Sequence, residues 1–313
     1  MIQITTGDMM HVHGGFAEHV DYTARLTVRM QDVVEAKILA EALEKTQSRY
    51  PYLCVRIREG EDAYYYEENP LPVVLFHKNE RISLNSEESN YHVWAVCYWE
   101  DYIHLDCYHG ITDGTGMYKV LSTLLYYYCA ERYGAAMDKG VRVLTDPIAP
   151  EETADPQDSL PEIDMSKVPP AQMRPAFTLE TDGGLTPSEA TIWDVEIPEE
   201  PFMKFVIDND STPGTMISLL FSKAIHKLYY EGGSAAAPAE ANSAAAVSPP
   251  AKDIIAVYVI NARPMLNAVE TCHNCLGMAM FDYDWRIAEM PLMRQCTIYR
   301  GRTFAQSFED TIK

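Results

Sequence analysis

Basic residues are scarce in this chain: 25 Lys and Arg stand against 46 Asp and Glu in 313 residues, a formal net charge of −21 at pH 7. A protein that neutralises nucleic-acid phosphates needs the opposite excess, so nucleic acid is excluded as a partner. The same deficit tells against anionic ligands unless the few cations cluster. Long apolar runs are missing as well. No stretch reaches the roughly 20 residues of a membrane span. The N-terminus, MIQITTGDMMHVHGG, has neither the basic flank nor the apolar core of a secretory signal. Paired-cysteine frameworks are also lacking: the seven cysteines (54, 97, 107, 129, 272, 275 and 296) are odd in number and mostly sit in apolar stretches such as HVWAVCYW. They read as reduced, buried thiols of a cytoplasmic protein. Cys272 and Cys275 form a C-x-x-C pair without a second ligand pair or a redox setting, so no metal site is expected. There is no P-loop, and GTG at 114–116 lacks dinucleotide-binding spacing.

What is present is the material of a folded α+β (mixed-sheet α/β) protein. Hydrophobic residues make up 47% and charged residues 23%, and the length suggests about two domains. Residues 31–50 predict an amphipathic helix, with Asp32 and Glu35 at capping-box spacing, apolar residues at 34, 38, 39, 42 and 43, and Pro51 as a stop. Strand-like pieces follow in LCVRIR, AYYYEE and VVLF. YHVWAVCYW and YIHLDCY, divided by Glu100-Asp101, predict an antiparallel hairpin. Met117, Val120, Leu121, Leu124, Leu125 and Tyr128 then recur at helical spacing. These elements define an N-terminal lobe over residues 1–140.

Residues 141–190 are proline-rich and acidic without a period, and read as a linker. A second, shorter lobe spans 191–313. It opens on ATIWDVEIP, and Ser211 or Thr212 caps a helix carrying Met216, Leu219 and Leu220. A low-complexity, Ala-rich loop fills 232–252. Two strands follow, DIIAVYVINARPML and LGMAMFDYDW, with Asp282 and Asp284 side by side on the second, and a closing helix at RTFAQSFEDTIK.

The stretch with chemical promise is LDCYHGITDGTGMYKVL, residues 105–121. Alternation places Ile103, Leu105 and Cys107 on one strand face, and one further step carries His109 inward on that face. Gly110, Gly114 and Gly116 leave room around it. An imidazole with space beside it, and an ordinary pKa of about 6.5, suits a general base near neutral pH. Asp113, directly before the helix, can cap free amides or pair with a cation. On the residues alone the plain reading, a capped strand-to-helix turn with a satisfied histidine, comes before the functional one.

HGITDG fits H-x-x-x-D-G. With the preceding hairpin, the following apolar helix, and the later TPGTMISLLFSKAIHKLY, VYVINARPML and NCLGM, the chain resembles the acyltransferase superfamily of chloramphenicol acetyltransferase, peptide-synthetase condensation domains and alcohol O-acetyltransferases. The resemblance implies two chloramphenicol-acetyltransferase-like lobes forming a pseudo-dimer, here with the second lobe incomplete. It implies an acyl-CoA-dependent acyltransferase in which His109 takes a proton from a small alcohol or amine acceptor, with no tightly bound cofactor. It further implies that Asp113 pairs with Arg263, that Gly114 serves the turn, and that Tyr108, His11 and His13 border the substrate. Tyr108 stands where condensation domains usually carry a second histidine, which favours acetyl transfer to an alcohol over peptide-bond formation. Coenzyme A is the expected donor, although no residue is assigned to it. Lys223 and Lys227, or Arg300 and Arg302, are the nearest cation pairs in sequence. The alternatives are a carrier-protein thioester condensed onto an amine, or a non-catalytic binding member of the same fold.

Overall fold

The computed structural model describes residues 2–4, 22–61, 63–135, 140–156, 175–178, 195–231 and 252–307. His11, His13, most of the 141–190 linker and residues 232–251 of the Ala-rich loop lie outside the described residues. The chain divides into two compact units: Met1–Ser159 with Leu266–Cys275, and Leu160–Met265 with Leu276–Lys313. The stretch Leu266–Cys275, expected within the second lobe, thus belongs to the first unit.

In the first unit the elements are β1 (Ile2–Gln3), β2 (Thr23–Arg29), α1 (Ala36–Arg49), β3 (Val55–Glu59), β4 (Tyr64–Glu68), β5 (Leu75–His77), β6 (Trp94–Trp99), β7 (Tyr102–Tyr108) and α2 (Gly114–Tyr133). The expected helix over 31–50 starts five residues late, and the Asp32–Glu35 capping box does not form. Glu35 is itself the N-cap and makes no side-chain cap bond. The Val34 N–H instead donates to the Glu100 carbonyl at 2.8 Å, and the Glu35 N–H to the Tyr128 hydroxyl at 3.0 Å, which holds this stretch extended.

The main sheet has the order β2-β7-β6-β5, antiparallel except for the parallel β5–β6 pair. Tyr102 pairs with Trp99 and Cys107 with Trp94, so the expected hairpin is present. β2, not apparent from its sequence, lies on the other side of β7, with Thr23 opposite Tyr108. One sheet face packs Val96, Ile103, Leu105 and Cys107 against Leu39 and Leu43 of α1 and Met117, Leu121 and Leu124 of α2. Each buried Leu contributes roughly 1.5–3 kcal/mol. The opposite face is closed as well, with Ala95 and Cys97 packed beside Ile82, Phe76 and Leu84. α2 ends on Gly134 at φ 62°, whose N–H returns to the Ala130 carbonyl; the left-handed backbone there favours glycine.

The second unit holds α3 (Glu199–Asp208), α4 (Pro213–His226), β8 (Ile254–Asn261), β9 (Leu276–Tyr283) and α5 (Leu292–Gln306). Thr212 caps α4 by accepting from the Thr215 N–H. α3 went unforeseen because Pro201 interrupts the reading of EEPFMKFVID, although proline is at home in a first turn. β8 and β9 form an antiparallel ribbon with Val257 opposite Met280 and Val259 opposite Met278. Its inner face, Ala279, Phe281 and Tyr283, joins Met216, Leu219, Cys296 and Tyr299 in one core, with Phe281 stacked on Tyr299 at 4.7 Å. Asp284 is not on the strand beside Asp282. It caps a short helical turn, accepting from the Ile287 N–H at 2.9 Å and pairing with Arg286.

Candidate active site

β7 stops at Tyr108, one residue earlier than the alternation suggests. The next residues form a turn closed by the Ile111 N–H donating to the Tyr108 carbonyl at 3.2 Å. His109 is the first residue of that turn. It is half-buried rather than a continuation of the apolar face. Its main chain stays tied to the sheet, because the His109 N–H donates to the Tyr22 carbonyl at 3.0 Å. Tyr108 is buried, and its ring lies where a Cβ on Gly110 would sit, 2.2 Å from Cε1.

Asp113 is buried and caps α2. Its Oδ1 accepts from the Thr115 and Gly116 N–H groups at 3.0 and 3.1 Å, and its Oδ2 from the Cys275 N–H at 2.9 Å. Of the two roles open to it in sequence, capping is therefore realised. The three glycines do unequal work. A Cβ on Gly116 would lie 2.0 Å from Thr112 Oγ1 and 2.4 Å from the Cys272 carbonyl oxygen, so glycine is obligatory there. Gly114 is different. It opens α2, is not among the glycines at positive φ, and a Cβ on it would meet no described atom within 4 Å.

What holds this corner is the segment 269–275, which contains the Cys272-x-x-Cys275 pair. The Asn274 side-chain amide donates to the His109 carbonyl at 2.7 Å and to the Gly110 carbonyl at 2.8 Å. Thr112 Oγ1 donates to the Cys272 carbonyl at 2.6 Å. Lys119 Nζ reaches the carbonyls of Val269, Glu270 and Thr271 at 3.0–3.3 Å. Behind them lies a buried polar network. Glu152 takes Arg49 at 2.9 Å, Arg142 at 3.2 Å and the Tyr52 hydroxyl at 3.0 Å, while Arg142 also donates to Cys272 Sγ at 3.1 Å. Burial alone would raise the Glu152 carboxyl, but the hydrogen bonds from Arg49 and the Ala149 amide, with the charge of Arg142, hold it below the usual range. Asn274 carries no sequence signature, since a single Asn between two cysteines in TCHNCLG matches no pattern with a mechanism.

A second buried cluster lies on the far side of β7. Arg25 grips Asp106 with two bonds of 2.6 Å and also donates to the Asn79 and Glu80 carbonyls. His104 Nδ1 bonds Thr27 Oγ1 at 2.9 Å. Burial, with the charge of Arg25, pushes the His104 imidazole down.

Arg263 lies in the second unit, just past β8. It is buried, with its N–H and its guanidinium both donating to Asn261 Oδ1, at 3.1 and 3.3 Å. Of the cations weighed for an anionic donor, the two arginines have other work: Arg300 pairs with Asp210 at 2.5 Å, and Arg302 donates to the Asp282 carbonyl at 2.8 Å. Among the described residues no cluster of His, Cys, Asp and Glu could hold a metal, no disulfide joins the seven cysteines, and no helix is long and apolar enough to cross a membrane.

No protein-family model matches the chain, and no curated protein matches it by sequence. Solved structures do. The first condensation domain of the calcium-dependent antibiotic synthetase superposes with a TM-score of 0.62 at 14% identity, over 98% of this chain and 75% of that one. This chain has the condensation-domain fold. Two further structures share it. Polyketide synthase associated protein 5 from Mycobacterium tuberculosis gives a TM-score of 0.58 at 9% identity, covering 99% of this chain and 73% of its own. TRI101 of F. graminearum, complexed with coenzyme A and deoxynivalenol, gives 0.59 at 11% identity, covering 100% and 76%. The chain therefore spans about three-quarters of each condensation-fold neighbour, which fits a second lobe incomplete beside theirs.

Proposed function

We propose that this protein is an acyltransferase that moves an acyl group, acetyl in the first instance, from a coenzyme A thioester to a small alcohol, with His109 as general base. The observation that carries the reading is the setting of His109. It is half-buried in a turn whose main chain is held by β2, by Asn274 and, through Asp113, by Cys275. A base placed on so restrained a backbone can take the acceptor's proton without searching for its position. The acceptor oxygen then attacks the thioester carbonyl and the thiol leaves, with no acyl group carried on the protein. The fold supports acyl transfer as a class, and the neighbour bound to coenzyme A supports that donor. The pairing of Asp113 with Arg263 implied by the resemblance, and Tyr108, His11 and His13 as substrate neighbours, belong to the same proposal.

The test is thiol release from acetyl-, propionyl- and longer acyl-CoAs with a panel of alcohols and amines, alongside the intact mass of the protein. The expected result is acceptor-dependent release, strongest with alcohols, and no acyl adduct. A stable acyl-protein, or release that no acceptor stimulates, would overturn the reading. Preference for an amine and a carrier-bound donor would favour the condensation alternative, which the condensation-domain neighbours make the natural second reading.

A further inference from the structure

We infer that Asn274 is a positioning residue for His109, an inference that rests on the acyl-transfer reading. Its geometry is specific. The two carbonyls it faces, of His109 and Gly110, flank Gly110 on either side, at 2.7 and 2.8 Å from one amide nitrogen. Gly110 is the residue of the turn with the widest backbone freedom. Fixing both of its peptide planes from a single nitrogen removes that freedom and sets the carbonyl end of His109, while the Tyr22 carbonyl holds its N–H end. The neighbouring Cys275 N–H binds Asp113 Oδ2, so two consecutive residues grip the motif at its start and its end.

Only a donor can serve here, because both partners are acceptors and the site calls for two hydrogens from one atom. The amide NH2 of Asn supplies them. An isosteric carboxylate would put a third acceptor against the two carbonyls. Asn274 is itself anchored in a segment that Thr112, Lys119 and Arg142 bind to the body of the unit, so the clamp is stiff. A stiff clamp on the base acts on the rate of proton removal, not on substrate affinity, and misplacement by about 1 Å can cost on the order of 100-fold in rate.

The experiment compares the full chain with Asn274→Ala, Asn274→Asp and Asn274→Gln. Asn274→Ala is expected to lower kcat by about 10- to 100-fold with KM within about twofold. In Asn274→Asp the carboxylate sets a third acceptor against the two carbonyls, so kcat should fall at least as far as in Asn274→Ala. Asn274→Gln, which keeps the donor, should recover part of the loss. Unchanged kcat in Asn274→Ala or in Asn274→Asp overturns the inference. If the native chain shows no acceptor-dependent release, the acyl-transfer reading fails and amide hydrogen exchange decides the clamp alone. Faster exchange at His109 and Ile111 in Asn274→Ala, with β3 and β4 unchanged, supports it; unchanged exchange in the turn overturns it.

Discussion

Two of the three sheets among the described residues contrast in how their faces are covered. In the second unit the β8–β9 ribbon buries Ala279, Phe281 and Tyr283 and leaves Val257, Val259, Met278 and Met280 about half exposed. In the first unit β7 is buried on both faces, and the residues that alternation assigns to solvent, His104 and Asp106, are as buried as Ile103 and Leu105. The ribbon is apolar on both faces but buries only one of them. Polar groups enclosed in a sheet covered on both sides call for partners, and here Arg25 of β2 takes both oxygens of Asp106 while Thr27 takes Nδ1 of His104. The strand that leads into the histidine corner is thus buried on both faces from Ile103 to Tyr108.

Breaking the enclosed side should have the largest effect. Asp106→Ala leaves the Arg25 guanidinium without its carboxylate in a closed space, and is expected to cost about 3–5 kcal/mol, measured as a shift in denaturant midpoint. Gly116→Ala comes next, because backbone of the 269–275 segment stands where the methyl would go. A loss of about 1–3 kcal/mol is expected. Gly114→Ala should leave stability unchanged or slightly raised, since alanine suits a helix and nothing described opposes it. Any activity that Gly114→Ala loses therefore reports on substrate space.

Acid should then weaken the first unit selectively. His104 and His92 are both held below the ordinary imidazole value, chiefly by burial. A lowered folded-state pKa means the unfolded chain binds the proton first, so their contribution is complete above about pH 6.5 and is lost as pH falls below it. Glu152, also lowered, adds its loss only below about pH 4.3. The expected outcome is a fall in thermal midpoint between pH 7 and 5 that shrinks in a His92→Asn, His104→Asn double variant. Smallest of all, Met280→Thr on the open face of the ribbon should stay within about 0.5 kcal/mol.

How much of this was legible depended on whether a neighbour in sequence or a neighbour in space did the work. The β6–β7 hairpin, the α2 stripe, the Thr212 cap and the turn at His109 are local, and their residues announce them. The late start of α1 was hidden because Glu100 and Tyr128, far along the chain, hold Val34 and Glu35 extended. Asp106 was hidden because Arg25 comes from a strand 81 residues away. Asn274 lies 165 residues from His109. Its bonds go to main-chain carbonyls, which every residue carries, so no pairing of residue types could have revealed it.

The central claim rests on one side chain. Acceptor-dependent thiol release from acetyl-CoA should be measured for the native chain and His109→Ala, with the thermal midpoints of both. The account predicts release that falls by about 100- to 10,000-fold in the variant at an unchanged midpoint. Equal release from the two proteins would contradict it and leave His109 as a residue of the turn alone.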